Sequence, residues 1–242
     1  MTDLNLAAYP YMGIANPVSE DAVSAMLDLT GLEPGDRAAE LGCGNGALAR
    51  LLAGWGLRVL AVDRSATMAD LARRRIDEAG LSKAVEVVAG DAADVAEARG
   101  PFRLAAAVGT TRLGDFDRLA KWVEPGGWLL WGDLFFRHAP VPAFVAAGLD
   151  YDTDAGWRAR GQAAGLELIA ARISEEADWD AYVADLMAAV AVWGRENPDD
   201  PQRPALEARV QALAAMYGPA GREALGFGLY LFRRPGMKTD GG

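Results

Sequence analysis

The segment Glu40-Leu41-Gly42-Cys43-Gly44-Asn45-Gly46 constrains this chain most. Glycines at every second position weaken a helix or a strand, because glycine loses more backbone freedom on ordering than any other residue. They suit a turn of positive φ, where backbone can approach a ligand with no Cβ in the way. The flanks say what the turn joins. Arg37 to Leu41 reads as a short strand running into the glycines, and a helix follows through Leu52 and ends near Gly54.

The same alternation continues along the chain. Arg58 to Val62 reads as a second strand, and Ser65 caps a helix that runs to about Ala79 and stops at Gly80. Val85 to Ala89 and Leu104 to Val108 are the third and fourth strands. Asp115 to Val123 is helical, Glu124-Pro125-Gly126-Gly127 is a turn, and Trp128 to Asp133 is the fifth strand. A helix over 155–164 and strands over Leu166 to Ile173 and Phe227 to Arg233 complete the series. Ahead of it, residues 17–30 read as a helix capped by Asn16 or Ser19, with Pro17 in its first turn. Strand and helix in strict alternation predict a mostly parallel sheet covered on both faces.

Between the sixth and last strands, two stretches have apolar residues at helical spacing. Trp179 to Glu196 carries Tyr182, Leu186, Met187, Val190 and Trp193; Arg203 to Tyr217 carries Leu206, Val210, Leu213 and Met216. Two readings stand: extra core packing, or a helical cap whose aromatics line a ligand site.

Composition narrows the function. A net charge of −10 argues against a nucleic-acid partner, whose phosphates call for clustered Lys and Arg. Arginines here are interleaved with acids, as in residues 71–78, the pattern of a solvated helix face. No apolar run approaches the roughly 20 residues that cross a bilayer, and the first residues lack a secretory pattern, so no membrane partner and a cytoplasmic location are expected. Cys43 is the single cysteine and His138 the single histidine. A disulfide, a cysteine zinc site and an iron–sulfur cluster are therefore excluded within the chain, and no metal is expected.

The glycine turn by itself is ambiguous. Gly42-x-Gly44-x-x-Ala47 also fits the dinucleotide fingerprint, which keeps an NAD(P)-dependent oxidoreductase as an alternative. Acids at successive strand ends separate the readings. Glu40 precedes the glycines, Asp63 ends the second strand, where it can accept both ribose hydroxyls, and Gly90-Asp91-Ala92 follows the third. With the Pro-Gly-Gly turn before the fifth strand, this order resembles the Rossmann-like (class I) S-adenosylmethionine-dependent methyltransferases, whose glycine pattern is E/D-x-G-x-G-x-G. A sulfonium donor without a pyrophosphate also tolerates carboxylates beside the turn.

The resemblance implies a methyltransferase sandwich, with a seven-stranded, mostly parallel sheet, an antiparallel last strand and a helical insertion before it. It implies S-adenosylmethionine as donor and S-adenosylhomocysteine as product. The donor residues would be Glu40, Gly42, Cys43, Gly44, Gly46, Asp63, Arg64, Met68, Asp91, Ala92 and Val108, with Tyr11 from the N-terminal segment. Asp91 resembles the acid that contacts the adenine amino group.

The later segment is similar to a bacterial group of small-molecule methyltransferases in Asn16-Pro17-Val18-Ser19-Glu20, Gly132-Asp133, Trp179-Asp180 through Trp193, and Gly226-Phe227-Gly228. Asp133 stands where that group more often has Glu. One domain over 1–242 is expected: an N-terminal helical cap (1–34), a donor-binding core (35–135) and an insertion (176–222) over the acceptor.

Methyl transfer from a sulfonium is an in-line displacement in which positioning does most of the work. An acceptor with a free lone pair, such as an unprotonated amine or a thiolate, needs no base, whereas a hydroxyl does. The N, O or S atom of the small acceptor stays open. Thr110, Thr111, Tyr9 and Trp193 are its candidate contacts; Asp133 and His138 are the candidate catalytic groups. Each also has a plain structural reading, His138 as a loop histidine and Tyr9 and Tyr11 as packing residues. A monomer or homodimer is expected, and a non-catalytic donor-binding regulatory module is the remaining alternative.

Overall fold

A computed structural model describes residues 3–110, 113–138 and 151–236. Seven strands form one sheet: β1 (Arg37–Leu41), β2 (Arg58–Asp63), β3 (Val85–Ala89), β4 (Phe102–Val108), β5 (Val123–Phe136), β6 (Glu167–Ile173) and β7 (Leu225–Arg233), in the order β3-β2-β1-β4-β5-β7-β6. The pairs from β3 through β5 are parallel, and β7 runs antiparallel between β5 and β6. This is the mixed sheet expected of a Rossmann-like methyltransferase fold.

The order reverses direction between β1 and β4. In open α/β sheets the crevice beyond the strand C-termini at that switch point is where ligands bind. Gly42, Gly109 and Asp133 all lie at this end.

The strand period of two sorts side chains to opposite faces. Ala38, Leu104, Trp128 and Leu130 pack on one face, against α2 (Glu20–Leu27), α3 (Ala47–Gly54) and α4 (Ala66–Glu78). Ala39, Leu41, Leu129 and Trp131 pack on the other, against α5 (Ala92–Arg99), α6 (Phe116–Trp122) and α7 (Asp154–Ala163). On that second face Trp131 meets Phe116 and Trp157 with ring centroids 5.2 and 5.3 Å apart. The Trp157 indole N–H is satisfied by the Leu134 carbonyl at 2.9 Å, as a buried donor requires.

A third apolar cluster lies apart from the sheet. It joins α1 (Leu4–Ala8) to the helical pair α8 (Glu176–Glu196) and α9 (Arg203–Met216) through Leu4, Ala7, Met12, Leu186, Trp193, Leu206 and Val210. The N-terminal segment and the insertion thus form one packed cap.

Several boundaries differ from the sequence reading. The first core helix begins at Glu20, because Ser19 is its cap, its hydroxyl accepting the Ala22 N–H at 3.1 Å. Strand β5 extends to both sides of Trp128–Asp133, since Val123 pairs with β4 and Phe136 with β7. The sequence reading missed α5, whose eight residues hold almost no amphipathic pattern and are started by Asp91 as cap. It also missed the short α10 (Pro219–Ala224).

Candidate active site

The turn after β1 has the backbone its glycines predict, with φ of +84° at Gly42, +51° at Gly44 and +74° at Gly46. A Cβ on Gly42 would stand 2.2 Å from the Thr110 methyl, so the turns after β1 and β4 touch here. Asn16 lies against Gly109 in the same way, 2.5 Å from where a Cβ would be.

Asp63 joins this turn to the end of β2. Its Oδ2 accepts the Gly44 N–H at 2.8 Å, and its Oδ1 accepts the Ser65 N–H at 2.8 Å. The Gly46 N–H goes to the Cys43 carbonyl and the Ala47 N–H to Asn45 Oδ1. Three of the amides that would cradle a pyrophosphate at a helix N-terminus therefore already have internal partners. The dinucleotide alternative loses its main support.

Glu40 is buried, and its Oε2 has no hydrogen-bond partner among the described residues. Burial pushes its carboxyl up to about 8, with the Asp63 charge adding to the effect and an Ala49 N–H opposing it. Cys43 is buried beside these two acids, which raise its thiol further above an already desolvated value; it is no nucleophile. Thr110 Oγ1 is a second buried polar atom without a partner among the described residues.

The outer donor candidates vary in placement. Asp91 is exposed and caps α5, its Oδ1 accepting from Ala93 N at 2.9 Å and Asp94 N at 3.3 Å; Ala92 is the first residue of that helix. Arg64 is exposed, and Met68 is buried beneath the Ser65 cap of α4. Val108 ends β4 and packs over Gly132.

Sequence reasoning missed two residues that hold the N-terminal segment over the turn. Asn45, only 3% exposed, donates through Nδ2 to the carbonyls of Tyr9, Met12 and Gly13 at 3.0, 3.1 and 2.9 Å. Arg75 of α4 reaches the Tyr9 and Met12 carbonyls at 3.1 and 2.8 Å. The segment they hold brings the Tyr9 ring to 3.4 Å from a Cβ built on Gly44. The local signal was limited to an Asn between two glycines.

Tyr11 points outward at 39% exposure, and its hydroxyl donates to Glu196 at the end of α8. Trp193 lies inside the cap's own apolar cluster, where it packs α8 against α1 and α9. Its neighbours Trp179 and Tyr182 on the same helix instead stack on Tyr217, at centroid distances of 5.4 and 5.9 Å. Asp133 is 2% exposed, opposite Gly228 of β7, and its Oδ1 accepts the Leu134 N–H at 2.7 Å. His138 is exposed just beyond β5, and Thr111 lies outside the described residues.

Fold and turn match those of the class I S-adenosylmethionine-dependent methyltransferases. Residues 38–127 match the family described as "Methyltransferase domain". The Escherichia coli (strain K12) protein YjhP is 27% identical over 232 residues, covering 90% of this chain and 92% of its own. Its X-ray structure superposes with a TM-score of 0.77 at 25% identity, over 95% of this chain and 98% of that one. A Geobacter sulfurreducens S-adenosylmethionine-dependent methyltransferase, solved with S-adenosylhomocysteine, has a TM-score of 0.79 at 25% identity, over 96% and 98% of the two chains. No group of His, Cys, Asp and Glu fit to hold a metal occurs among the described residues.

Proposed function

We propose that this chain transfers the methyl group of S-adenosylmethionine to an N, O or S atom of a small-molecule acceptor. The observation that carries the donor assignment is the Asp63–Gly44 tie. The tie sets a carboxylate at the end of β2 against a positive-φ glycine turn, which supports a ribose-binding role for Asp63. S-adenosylhomocysteine in the Geobacter sulfurreducens structure supports the same reading.

In this reading Gly42, Gly44 and Gly46 give the donor close backbone approach. Asp63 receives the ribose hydroxyls, and Asp91, with its Oδ1 engaged in capping, offers the rest of its exposed carboxylate to the adenine. Asp63 supplies negative charge beside a donor that carries both ammonium and sulfonium groups, while the buried Glu40 carboxyl holds its proton near neutrality. The acceptor enters beneath the cap, near Thr110 and Asp133. Base work falls to Asp133, which is enclosed; His138 stands exposed.

Titration calorimetry with S-adenosylhomocysteine and, separately, NADH tests the donor assignment. Micromolar binding of the first, weakened at least tenfold in Asp63→Ala, is the expected outcome (about 1.4 kcal/mol per tenfold). Binding of NADH alone would overturn it in favour of a dehydrogenase.

A further inference from the structure

Three tyrosines from distant parts of the chain gather where the cap faces the glycine turn. Tyr9 comes from the N-terminal segment and lies over Gly44. Tyr182 of α8 and Tyr217 after α9 have ring centroids 5.9 Å apart, with Trp179 behind Tyr217 at 5.4 Å. The three phenols influence one another electrostatically, Tyr217 acting on Tyr9 and both acting on Tyr182. Three carboxylates act on the same group, Asp3 and Asp63 on Tyr9 and Asp133 on Tyr217.

Burial is the largest cause raising each phenol, to about 12 for Tyr9, so all three remain neutral near physiological pH. A neutral ring keeps its electron-rich face, which attracts a cation. Rings gathered only for packing need no acids around them. Here the ring faces and these carboxylates concentrate negative potential in a sheltered place, where such attraction is stronger than in water. Arg222, whose guanidinium lies over Trp179 at 6.0 Å, is already paired with Asp180 at 2.7 Å.

Resting on the methyltransferase reading above, we infer that the acceptor is a small amine, held as its ammonium by Tyr9, Tyr182 and Tyr217. The ammonium proton passes to the Asp133 carboxylate and then to solvent, which frees the nitrogen lone pair. That pair forms the new N–C bond to the donor methyl as the C–S bond breaks. The C–S electrons stay on sulfur, giving neutral S-adenosylhomocysteine thioether and a methylated ammonium. The positive charge moves from sulfur to nitrogen, and the tyrosine faces stabilise it at the product end of the path.

The test uses the full chain saturated with S-adenosylhomocysteine, titrated by calorimetry with choline and with the dimethylbutanol isostere that has carbon in place of nitrogen. Choline is expected to bind roughly tenfold more tightly than the isostere. Tyr217→Phe keeps that preference, because the ring face survives; Tyr217→Leu loses it while still binding S-adenosylhomocysteine. Asp133→Asn, a second route should the leucine variant fail to fold, cuts the preference at least threefold. Equal affinity for the two probes, or binding of neither, overturns the amine inference. Failure of S-adenosylhomocysteine to bind is seen before either probe is added and overturns the donor assignment instead.

Discussion

Gly44 donates its backbone N–H to the Asp63 carboxylate over 2.8 Å, tying the turn after β1 to the end of β2. The same carboxylate accepts the Ser65 N–H, which sets the start of α4. The carboxylate proposed to receive the donor's ribose therefore also joins two elements of the fold. Asp63→Asn retains one acceptor oxygen and loses the charge that strengthens both bonds. It is expected to lower unfolding free energy by about 1–2 kcal/mol, measured by urea denaturation. An unchanged midpoint would show that the tie is not structural.

Glu40 gives a pH signature. Its folded-state pKa of about 8 lies above its unfolded value, so the folded state holds more protons between roughly pH 4.5 and 8. Stability from this group is fully present below that window and is lost as pH rises through it. Glu40→Gln removes the titration. The stability of the wild type minus that of the variant is expected to fall steadily from about pH 5 to 8 and level off above. A difference that stays flat across denaturation curves at several pH values would place the carboxylate in water.

Asn45 satisfies three carbonyls of the N-terminal segment from one amide nitrogen. Asn45→Ala leaves them without that donor, at a cost of about 2–3 kcal/mol. Arg75 still holds two of the three, so the expected result is a loosened segment and not global unfolding. Hydrogen exchange should show faster exchange over residues 4–16, with β1 and β2 unaffected. Uniform loss of protection would instead make the segment part of the folding core.

At Gly42, both φ of +84° and the Thr110 methyl forbid a side chain. Gly42→Ala is expected to cost about 1–3 kcal/mol from backbone strain and crowding. S-adenosylhomocysteine affinity should fall with it, by at least tenfold. Thr110→Ser opens the crowded space without relieving φ, so the double variant should recover only part of the stability. Full recovery would mean that steric contact alone sets the requirement.

His138 and Asp133 were both catalytic candidates in the sequence, and their surroundings in the structure differ. His138 is exposed, and Asp133 is buried in β5 opposite Gly228, on the sheet face that carries Trp131 and Tyr230. His138→Gln is expected to lower turnover less than threefold once an acceptor is in hand, against at least a hundredfold for Asp133→Ala (roughly the contribution of a positioned acid or base). The reverse order in steady-state rates would exchange their roles.

What the sequence determined by itself was local. Glycines at 42, 44 and 46 dictate a positive-φ turn, Ser19, Ser65 and Asp115 start helices, and the unbroken apolar run Leu104–Val108 marks a strand buried on both faces. These features depend on neighbours a few residues away, so a one-dimensional reading reaches them. Placement of the aromatics depended on the tertiary structure. Trp193 and Trp179 share a helix, yet Trp193 fills the cap's core and Trp179 packs into the sheet's core beside Tyr217. Periodicity says which face of a helix is apolar, but not what that face meets. The hold of Asn45 and Arg75 on the N-terminal segment spans more than thirty residues and rests on backbone carbonyls, which carry no side-chain signature. Packing alone decided those contacts, because only the folded chain brings the first cap segment, the glycine turn and the far helical pair to one place.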